Sequence, residues 1–195
     1  CKSPIPNLDE VEELRQGEVG EIAVSGPVVT KSYYRMPGAT FDSKVFDGKR
    51  IFHRMGDLGY FDQKGYLRFL GRKAECVITS NGPLETERCE PIVNALDEVR
   101  RSALIGLGEG REKEPALVVE PEPNHFPQTM ADKKQLAQTI LEKIREHERL
   151  RLIRLIFFEQ SLPVDTRHNA KIHRLSLARK GAIKAKIAKA QAYLP

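Results

Sequence analysis

The run of residues 53–62, His-Arg-Met-Gly-Asp-Leu-Gly-Tyr-Phe-Asp, places one carboxylate, Asp57, between two glycines. Glycine lets a backbone turn tightly, so this spacing predicts a turn that presents the acid. A carboxylate can accept two hydrogen bonds at once, which suits the two vicinal hydroxyls of a ribose. A Gly-Asp-x-Gly run by itself is more often only a turn, so both interpretations stay open on these residues.

Two cations elsewhere in the chain could complete a site for a nucleotide. Arg72 follows a strand that we predict over Gly65–Leu70, and its guanidinium could donate to the same ribose or to a phosphate oxygen. Lys171 ends the run His-Asn-Ala-Lys, and a positioned ammonium stabilises negative charge that develops on oxygen. The alternatives are a surface arginine and one more lysine of a basic C-terminal tail.

The histidines and cysteines receive no catalytic role. His53, His168 and His173 lie near these runs and could act as bases, but a lone histidine is more often structural or exposed. The three cysteines show no CxxC or metal-finger spacing, so neither a disulfide framework nor a metal site is expected. We interpret Cys76 and Cys89 as small core residues.

Composition narrows the class of protein. A chain of 195 residues with 40% hydrophobic content can bury the core of one ordinary domain, or of a small domain plus part of another. The sequence has no apolar stretch of about 18 residues and no signal-peptide pattern, so we expect no transmembrane segment and a cytoplasmic location.

The net charge of +5 is concentrated near the C-terminus. After Ile172 there is no acidic residue, and the basic residues are Arg174, Arg179, Lys180, Lys184, Lys186 and Lys189. Nucleic acid or an acidic membrane surface could bind such a tail, but a solvated helix face is the commoner explanation. No nucleic acid partner is expected, because Tyr193 is the only aromatic residue available there to stack on a base.

Hydrophobic spacing predicts an α+β fold: a small β region up to about residue 71, and then a compact α+β domain. The expected strands lie within residues 17–27 and over Arg50–His53, Gly65–Leu70, Cys76–Thr79, Arg100–Leu107, Pro115–Glu120 and Ile153–Phe158. The expected helices lie around Cys89–Leu96, after a cap at Thr129 and Asp132, and from about His173.

These runs, in this order, resemble the later core motifs of the AMP-forming adenylating enzymes, which include acyl-CoA synthetases, peptide-synthetase adenylation domains and luciferases. Residues 53–58 match the family's Tyr-Arg-Thr-Gly-Asp-Leu motif, which implies that Asp57 binds the ribose. A Gly-Arg pair like that at Arg72 opens the hinge between the large and small domains of the family. The resemblance therefore implies a nucleotide contact for Arg72 and a pivot at Lys73 and Ala74.

The C-terminal part of the resemblance concerns Lys171. Residues 168–174 resemble the family's Asn-Gly-Lys-Ile-Asp-Arg run, with Ala170 in place of the glycine, and this implies that Lys171 is the catalytic lysine. In the family, a mobile small domain brings this lysine to the reacting carboxylate and α-phosphate. The resemblance implies ATP as the nucleotide, AMP as a product, Mg²⁺ as the accompanying cation and a carboxylic acid as the substrate.

A third loop, Gly82, Pro83 and Leu84, resembles the segment that lines the family's acceptor tunnel. CoA-using members have a Gly-x-Arg pattern there, and this chain lacks the arginine. Together with the other motifs, this loop resembles that of the bacterial β-lactone synthetases of long-chain olefin biosynthesis, often labelled peptide synthases. In those enzymes the substrate's β-hydroxyl attacks the acyl-adenylate, so no CoA is required.

The sequence thus predicts part of an AMP-forming acid-activating enzyme. Residues 1–72 would be the C-terminal β subdomain of the large domain, and residues 73–195 the small mobile domain. No glycine-rich phosphate loop ending in lysine occurs in the chain, so we expect it to be inactive alone and to need the N-terminal part of the same enzyme. The alternatives are an acyl-CoA ligase of the same superfamily and a non-enzymatic basic binding module.

Overall fold

The protein is represented by a computed structural model that describes residues 4–5, 7–48, 50–165 and 171–181. The chain divides into two compact units, Cys1–Ala74 and Glu75–Pro195. The expected α+β class is confirmed. The boundary lies two residues after the expected one, and the identification of the units with the large and small domains of an adenylating enzyme stays a prediction.

The first unit is an antiparallel sheet built on one long strand. Its elements are a 3₁₀ helix (Leu8–Glu10), β1 (Gly20–Ser25), α1 (Pro37–Ser43), β2 (Lys44–Asp47), β3 (Arg50–Phe61), β4 (Leu67–Arg72) and a 3₁₀ helix (Lys73–Glu75). Each of the other three strands pairs with β3, in antiparallel orientation. The backbone of a residue in the middle of β3 is therefore held by neighbouring strands on both sides.

The structure corrects the turn expected at Asp57. Instead of ending at His53, β3 continues through Gly56, Asp57 and Gly59 to Phe61. Its pairing with β1 shifts register at this point, and Gly56 has a positive φ of 73°. The glycines therefore form a bulge within a strand, because β1 and β4 supply backbone partners that keep the chain extended.

A tight turn at residues 62–65 precedes β4. The Gly65 amide donates to the carbonyl of Asp62, and the Asp62 side chain accepts from the amides of Lys64 and Tyr66. Gly65 has a φ of 79°, a conformation that glycine adopts without steric cost. This turn sets the register that brings β4 back along the second half of β3.

The second unit packs helices and a C-terminal segment against a three-stranded sheet. Its elements are β5 (Val77–Thr79), β6 (Gly82–Leu84), α2 (Thr86–Asn94), β7 (Val99–Leu107), β8 (Glu114–Pro121), a 3₁₀ helix (Pro123–His125), α3 (Met130–Arg145), a 3₁₀ helix (Glu148–Leu152), β9 (Leu155–Phe158) and a helical segment at 174–181. β7 pairs antiparallel with β8, and β8 pairs parallel with β9.

Local sequence signals set the start of α3. Thr129 and Asp132 form a reciprocal capping box, in which each side chain accepts a hydrogen bond from the other's backbone amide. Leu136, Ile140 and Ile144 are buried at helical spacing, as predicted. The helix therefore presents one apolar face to the sheet.

Alternation along β7 and β8 divides the core between the two faces of the sheet. Leu104 and Leu117 belong to a cluster with the apolar residues of α2 and α3, whereas their neighbours Ile105 and Val118 belong to a second cluster. That second cluster is completed by residues of the C-terminal segment: Leu162, Ile172 and Leu177. Burial of such side chains is worth about 1.5–3 kcal/mol each, so it anchors the backbone on either side of Lys171 to the sheet.

The described residues include no helix with the length and apolarity needed to cross a membrane.

Candidate functional site

Asp57 and Arg72 meet across β3 and β4, where they are register partners. The Arg72 Nη1 lies 3.1 Å from Asp57 Oδ1 and donates a hydrogen bond of 3.1 Å to the carbonyl of Met55. The Asp57 side chain is 18% exposed, the Arg72 side chain 50%. Within the described ranges, Asp57 Oδ1 is buried and receives no aligned hydrogen bond, so this oxygen retains its capacity to accept from a ligand hydroxyl.

A second bulge brings these two side chains together. Leu58 pairs with Gly71, but its neighbour Gly59 pairs with Phe69, so Leu70 is the extra residue on β4. Gly71 has a φ of 106°, which a residue with a Cβ would adopt only with strain. The sequence indicated Asp57 and Arg72 separately, and the bulged pairing is what makes them neighbours.

The predicted hinge residue Lys73 is held by a carboxylate that sequence reasoning missed. Glu21 Oε2, on β1, lies 2.9 Å from Lys73 Nζ and 2.7 Å from the Nη2 of buried Arg54. Burial acts to raise the pKa of Glu21, but the hydrogen bonds from Arg54 and Lys73 outweigh it and hold the pKa below its ordinary value. Lys73 and Ala74 lie in a 3₁₀ helix, and their role as a pivot stays a prediction.

Lys171 lies where residues 171–173 pair with residues 163–165 through backbone hydrogen bonds. Its carbonyl accepts from the amide of Asp165 at 2.9 Å, the amide of His173 donates to Pro163 at 2.8 Å, and Ile172 forms a β-bridge with Val164. The Lys171 side chain is exposed and makes no salt bridge to any residue that the structure describes. The backbone is therefore fixed, whereas no carboxylate of the described residues is paired with the ammonium.

Two of the histidines can be placed. His53 Nδ1 lies 3.3 Å from the carbonyl of Ser43, and the ring packs edge-on against Tyr33. His173 is exposed, and His168, with Asn169 and Ala170, lies outside the described residues. In the part of the chain that the structure describes, no three His, Cys, Asp or Glu side chains are grouped so as to hold a metal ion.

The predicted acceptor loop is a strand in the structure. Gly82, Pro83 and Leu84 form β6, which pairs with β5 through a tight connection, and Thr79 Oγ1 donates to the Gly82 carbonyl at 2.7 Å. Two intervening residues suffice for the turn, because Gly82 adopts a φ of 101°. Leu84 is buried in the core, and the Arg149 Nη2 donates to the Pro83 carbonyl at 2.6 Å.

Arg174 does not belong to the solvated tail in which sequence reasoning placed it. Its guanidinium forms two hydrogen bonds with Glu90 and one with Glu75, and its side chain is only 14% exposed. One signal was present in the sequence: Glu90 falls among the apolar residues of α2, and a carboxylate buried there needs a cation. Lys184, Lys186 and Lys189 of the predicted tail lie outside the described residues.

Cys89 is the core residue it was expected to be, whereas Cys76 lies outside the buried core. Cys89 is fully buried, and burial raises the pKa of its thiol to about 12. Cys76 is partly buried, and burial followed by the charge of Glu85 raises the pKa of its thiol to about 11. Neither thiol has the lowered pKa of a nucleophilic cysteine.

Comparison with known proteins gave relatives that cover nearly all of this chain. No family model matches the sequence. The chain is 42% identical over 180 residues to an olefin β-lactone synthetase of Xanthomonas campestris, covering 89% of the chain and 32% of the relative. It is 39% identical over 185 residues to the olefin β-lactone synthetase of Stenotrophomonas maltophilia, covering 90% of the chain and 32% of that relative. The chain thus spans about a third of the length of these relatives.

Solved structures of other proteins share the fold of this chain. An ATP-bound RpMatB-BxBclM chimera superimposes with a TM-score of 0.73 at 25% identity, covering 92% of this chain and 34% of the other. The fold is also that of the Bacillus subtilis o-succinylbenzoate CoA synthetase in complex with AMP, with a TM-score of 0.66, 24% identity, and 84% of this chain and 31% of the other covered. The chain therefore belongs to the superfamily of AMP-forming adenylating enzymes, and over nine tenths of its length it is similar to olefin β-lactone synthetases.

Proposed function

We propose that this chain is part of an ATP-dependent, AMP-forming acid-activating enzyme, here called the complete enzyme. The observation that carries the proposal is the Asp57–Arg72 pair, whose carboxylate oxygen Oδ1 is buried and accepts no aligned hydrogen bond from the described residues. A buried acceptor of this kind is costly unless a donor reaches it. The ribose hydroxyls of ATP would supply such a donor, and Arg72 would stand beside the sugar and its phosphate.

The proposed first step is adenylation of a carboxylic acid. A carboxylate oxygen of the substrate attacks the α-phosphorus of ATP, the bond to the β-phosphate oxygen breaks, and pyrophosphate leaves with that electron pair. Negative charge builds up on the oxygens around the α-phosphorus and on the leaving pyrophosphate, and we assign stabilisation of the charge on the α-phosphate oxygens to the Lys171 ammonium. A single positioned donor of this type typically contributes about 10²- to 10³-fold in rate.

The exposed position of Lys171 supports this role. A catalytic cation that must reach a bound ligand cannot already be occupied by a protein carboxylate, and no salt bridge to Lys171 exists among the described residues. We propose that residues 73–195 act as the mobile small domain and residues 1–72 as the end of the large domain, with Lys73 and Ala74 as the pivot. Mg²⁺ would arrive bound to the ATP phosphates, because it keeps several of its waters and favours phosphate oxygens as ligands.

The proposed second step forms a β-lactone. The β-hydroxyl oxygen of the bound acyl group attacks its own acyl carbon, the bond to the phosphate oxygen breaks, and AMP leaves while the hydroxyl proton is released. The acceptor segment supports this chemistry, because Leu84 is buried in the core where CoA-using members of the superfamily present an arginine. The names of the two olefin β-lactone synthetases point the same way, and a long-chain β-hydroxy acid is the substrate we propose.

The experiment supplies the complete enzyme with ATP, Mg²⁺ and a long-chain β-hydroxy acid, without CoA. We expect AMP and a β-lactone in equal amounts, measured by chromatography and mass spectrometry. The matched control is the same acid without the hydroxyl, which should support ATP–pyrophosphate exchange but yield no lactone.

Two results would count against this assignment. A thioester formed on adding CoA, with no lactone in its absence, would favour an acyl-CoA ligase of the same superfamily. Failure of both acids to support pyrophosphate exchange would refute acid activation altogether. The isolated chain should show neither activity, because we expect the phosphate-binding loop to lie in the remainder of the enzyme.

A further inference from the structure

A cluster of three charged side chains lies near Lys171 in the second unit. Arg174 Nε and Nη2 donate to Glu90 Oε1 and Oε2 at 2.9 and 2.6 Å, and Arg174 Nη1 donates to Glu75 Oε2 at 2.7 Å. All three side chains are more than four fifths buried. Every nitrogen of the guanidinium therefore has a carboxylate partner.

The cluster connects parts of the unit that are far apart in sequence. Glu90 lies on α2 and also accepts from the amide of Leu104 on β7 at 2.8 Å. Glu75 is the first residue of the unit and directly follows the predicted pivot. Arg174 opens the helical segment 174–181, three residues after Lys171. The guanidinium thus attaches the backbone next to Lys171 to α2 and to the start of the unit, and Glu90 extends the link to β7.

This arrangement is better suited to fixing position than to adding stability. Taking a guanidinium and two carboxylates out of water costs free energy that their attraction only partly returns, so a packed apolar cluster could stabilise the fold equally well. A bidentate arginine, however, fixes the direction as well as the distance of its partner. The ammonium of Lys171 makes no hydrogen bond or salt bridge to a described residue, so the placement of its backbone matters.

We propose that Arg174 is a positioning residue for adenylation, which through Glu90 and Glu75 sets where the Lys171 ammonium can reach. The proposal rests on the proposed function. Misplacing a catalytic group by about 1 Å can cost about 10²-fold in rate, so a loosened cluster should affect turnover before it affects folding. Arg174 itself touches neither substrate nor reacting atoms in this scheme.

The test replaces Arg174 by lysine in the complete enzyme, because lysine keeps the charge but loses the planar fork. We expect kcat for ATP–pyrophosphate exchange to fall about 10- to 100-fold, with the KM values for ATP and acid unchanged. Conversion of a supplied acyl-adenylate to product should proceed at the original rate. The control is Arg179→Lys, an exposed arginine on the same helical segment, which should leave both half-reactions unchanged.

A double-mutant cycle separates positioning from a general structural role. In a Lys171→Ala background, Arg174→Lys should cause no further loss, because there is no ammonium left to position. An equal loss in that background would overturn the proposal, and so would a parallel fall of both half-reactions and of Tm. If Arg174→Lys fails to fold, Glu75→Gln keeps an acceptor oxygen but removes the charge from one of the three contacts, and it should give the same pattern with a smaller loss; full activity of that variant would also overturn the proposal.

Failure of the proposed function would look different. If the unmodified complete enzyme shows no pyrophosphate exchange with any acid, then acid activation is wrong and the positioning role is wrong with it. If the unmodified enzyme exchanges normally and Arg174→Lys equals it, only the positioning role is wrong.

Discussion

Asp57 Oδ1 and Arg72 Nη1 lie 3.1 Å apart on opposite strands, yet the arginine directs its hydrogen bond to the carbonyl of Met55. The positive charge of Arg72 thus lies close to the Asp57 carboxylate, but Arg72 does not hydrogen-bond to Oδ1. A carboxylate oxygen in this state can still accept a hydrogen bond from an incoming hydroxyl. The charge of Asp57 and its hydrogen bonds to a ribose can therefore be tested separately.

Replacing Asp57 by asparagine should weaken ATP binding to the complete enzyme. The amide keeps one acceptor oxygen but loses the charge that strengthens hydrogen bonds from the ribose, at about 1.5–3 kcal/mol each. We therefore expect KM for ATP to rise about 10- to 100-fold. The measurement is pyrophosphate exchange with ATP, 2′-deoxy-ATP and 3′-deoxy-ATP.

The deoxynucleotides make the ribose assignment specific. The unmodified enzyme should discriminate against both analogues, and Asp57→Asn should lose most of that discrimination. Asp62→Asn is a suitable control, because Asp62 lies at the β3–β4 turn and is occupied by Arg68 and backbone amides. Unchanged discrimination in Asp57→Asn would remove the ribose from the proposed contacts.

Replacing Lys171 by alanine should affect the first half-reaction selectively. Loss of the ammonium removes stabilisation of charge that develops only in the transition state, so kcat for exchange should fall about 10²- to 10³-fold. The second half-reaction, started from a supplied acyl-adenylate, should be nearly unaffected. Lys180→Ala, an exposed lysine on the helical segment, serves as the control, and equal losses in the two variants would assign Lys171 to the basic surface instead.

A methyl group added at Gly59 should destabilise the first unit. An ideal Cβ there would lie 2.8 Å from the carbonyl oxygen of Arg68 and 2.9 Å from Ile22 Cδ1, so the paired strand must move. We expect Gly59→Ala to cost about 1–3 kcal/mol. Gly38→Ala, on α1 with no atom within 4 Å of its Cβ, should be neutral or slightly stabilising. Denaturation midpoints in urea compare the two, and equal midpoints would contradict the close packing at Gly59.

Burial of the Cys89 thiol should make unfolding easier in alkali. Its pKa in the folded protein is about 12, whereas an unfolded thiol ionises near pH 8.5 to 9. Below that range the thiol is protonated in both the folded and the unfolded state, so its contribution to the free energy of unfolding is fully present. As pH rises towards 12, only the unfolded chain loses the proton, so the free energy of unfolding has fallen by about 1.5–2 kcal/mol at about pH 10.

The matched variant for this effect is Cys89→Ala. It should be less stable at neutral pH, because a buried sulfur is lost, but its stability should decline less between neutral pH and about pH 10. Urea unfolding of both proteins across that range measures the difference. Identical pH dependence would mean that the thiol is not protected from ionisation in the folded state.

The sequence correctly predicted those elements whose signals lie within a few neighbouring residues. The cap at Thr129 and Asp132 with the apolar residues behind it predicted α3, and short apolar runs predicted the strands β7 and β8. These predictions succeeded because capping and periodicity act over a few residues. The turn at Asp62 is equally local, because its side chain accepts from amides only two and four residues away.

The wrong predictions share a different cause. The glycines around Asp57 and the segment at Gly82 were expected as a turn and a loop, yet both continue as strands because distant backbone supplies their hydrogen bonds. Arg174 was placed in a solvated tail because its carboxylate partners lie 84 and 99 residues away. No local pattern contains that information.

The sequence by itself determined which chemical groups this protein possesses and in what order: an acid among glycines, an arginine at a strand end and a lysine after Ala170. The tertiary structure decided which of them meet and in what state, because pairing register and burial depend on residues far apart in the chain. It placed Arg72 beside Asp57 through a bulge and left Oδ1 without a donor among the described residues. It also turned Arg174 from a tail charge into the link between Glu75 and Glu90, since a guanidinium removed from water must find carboxylates wherever the fold brings them.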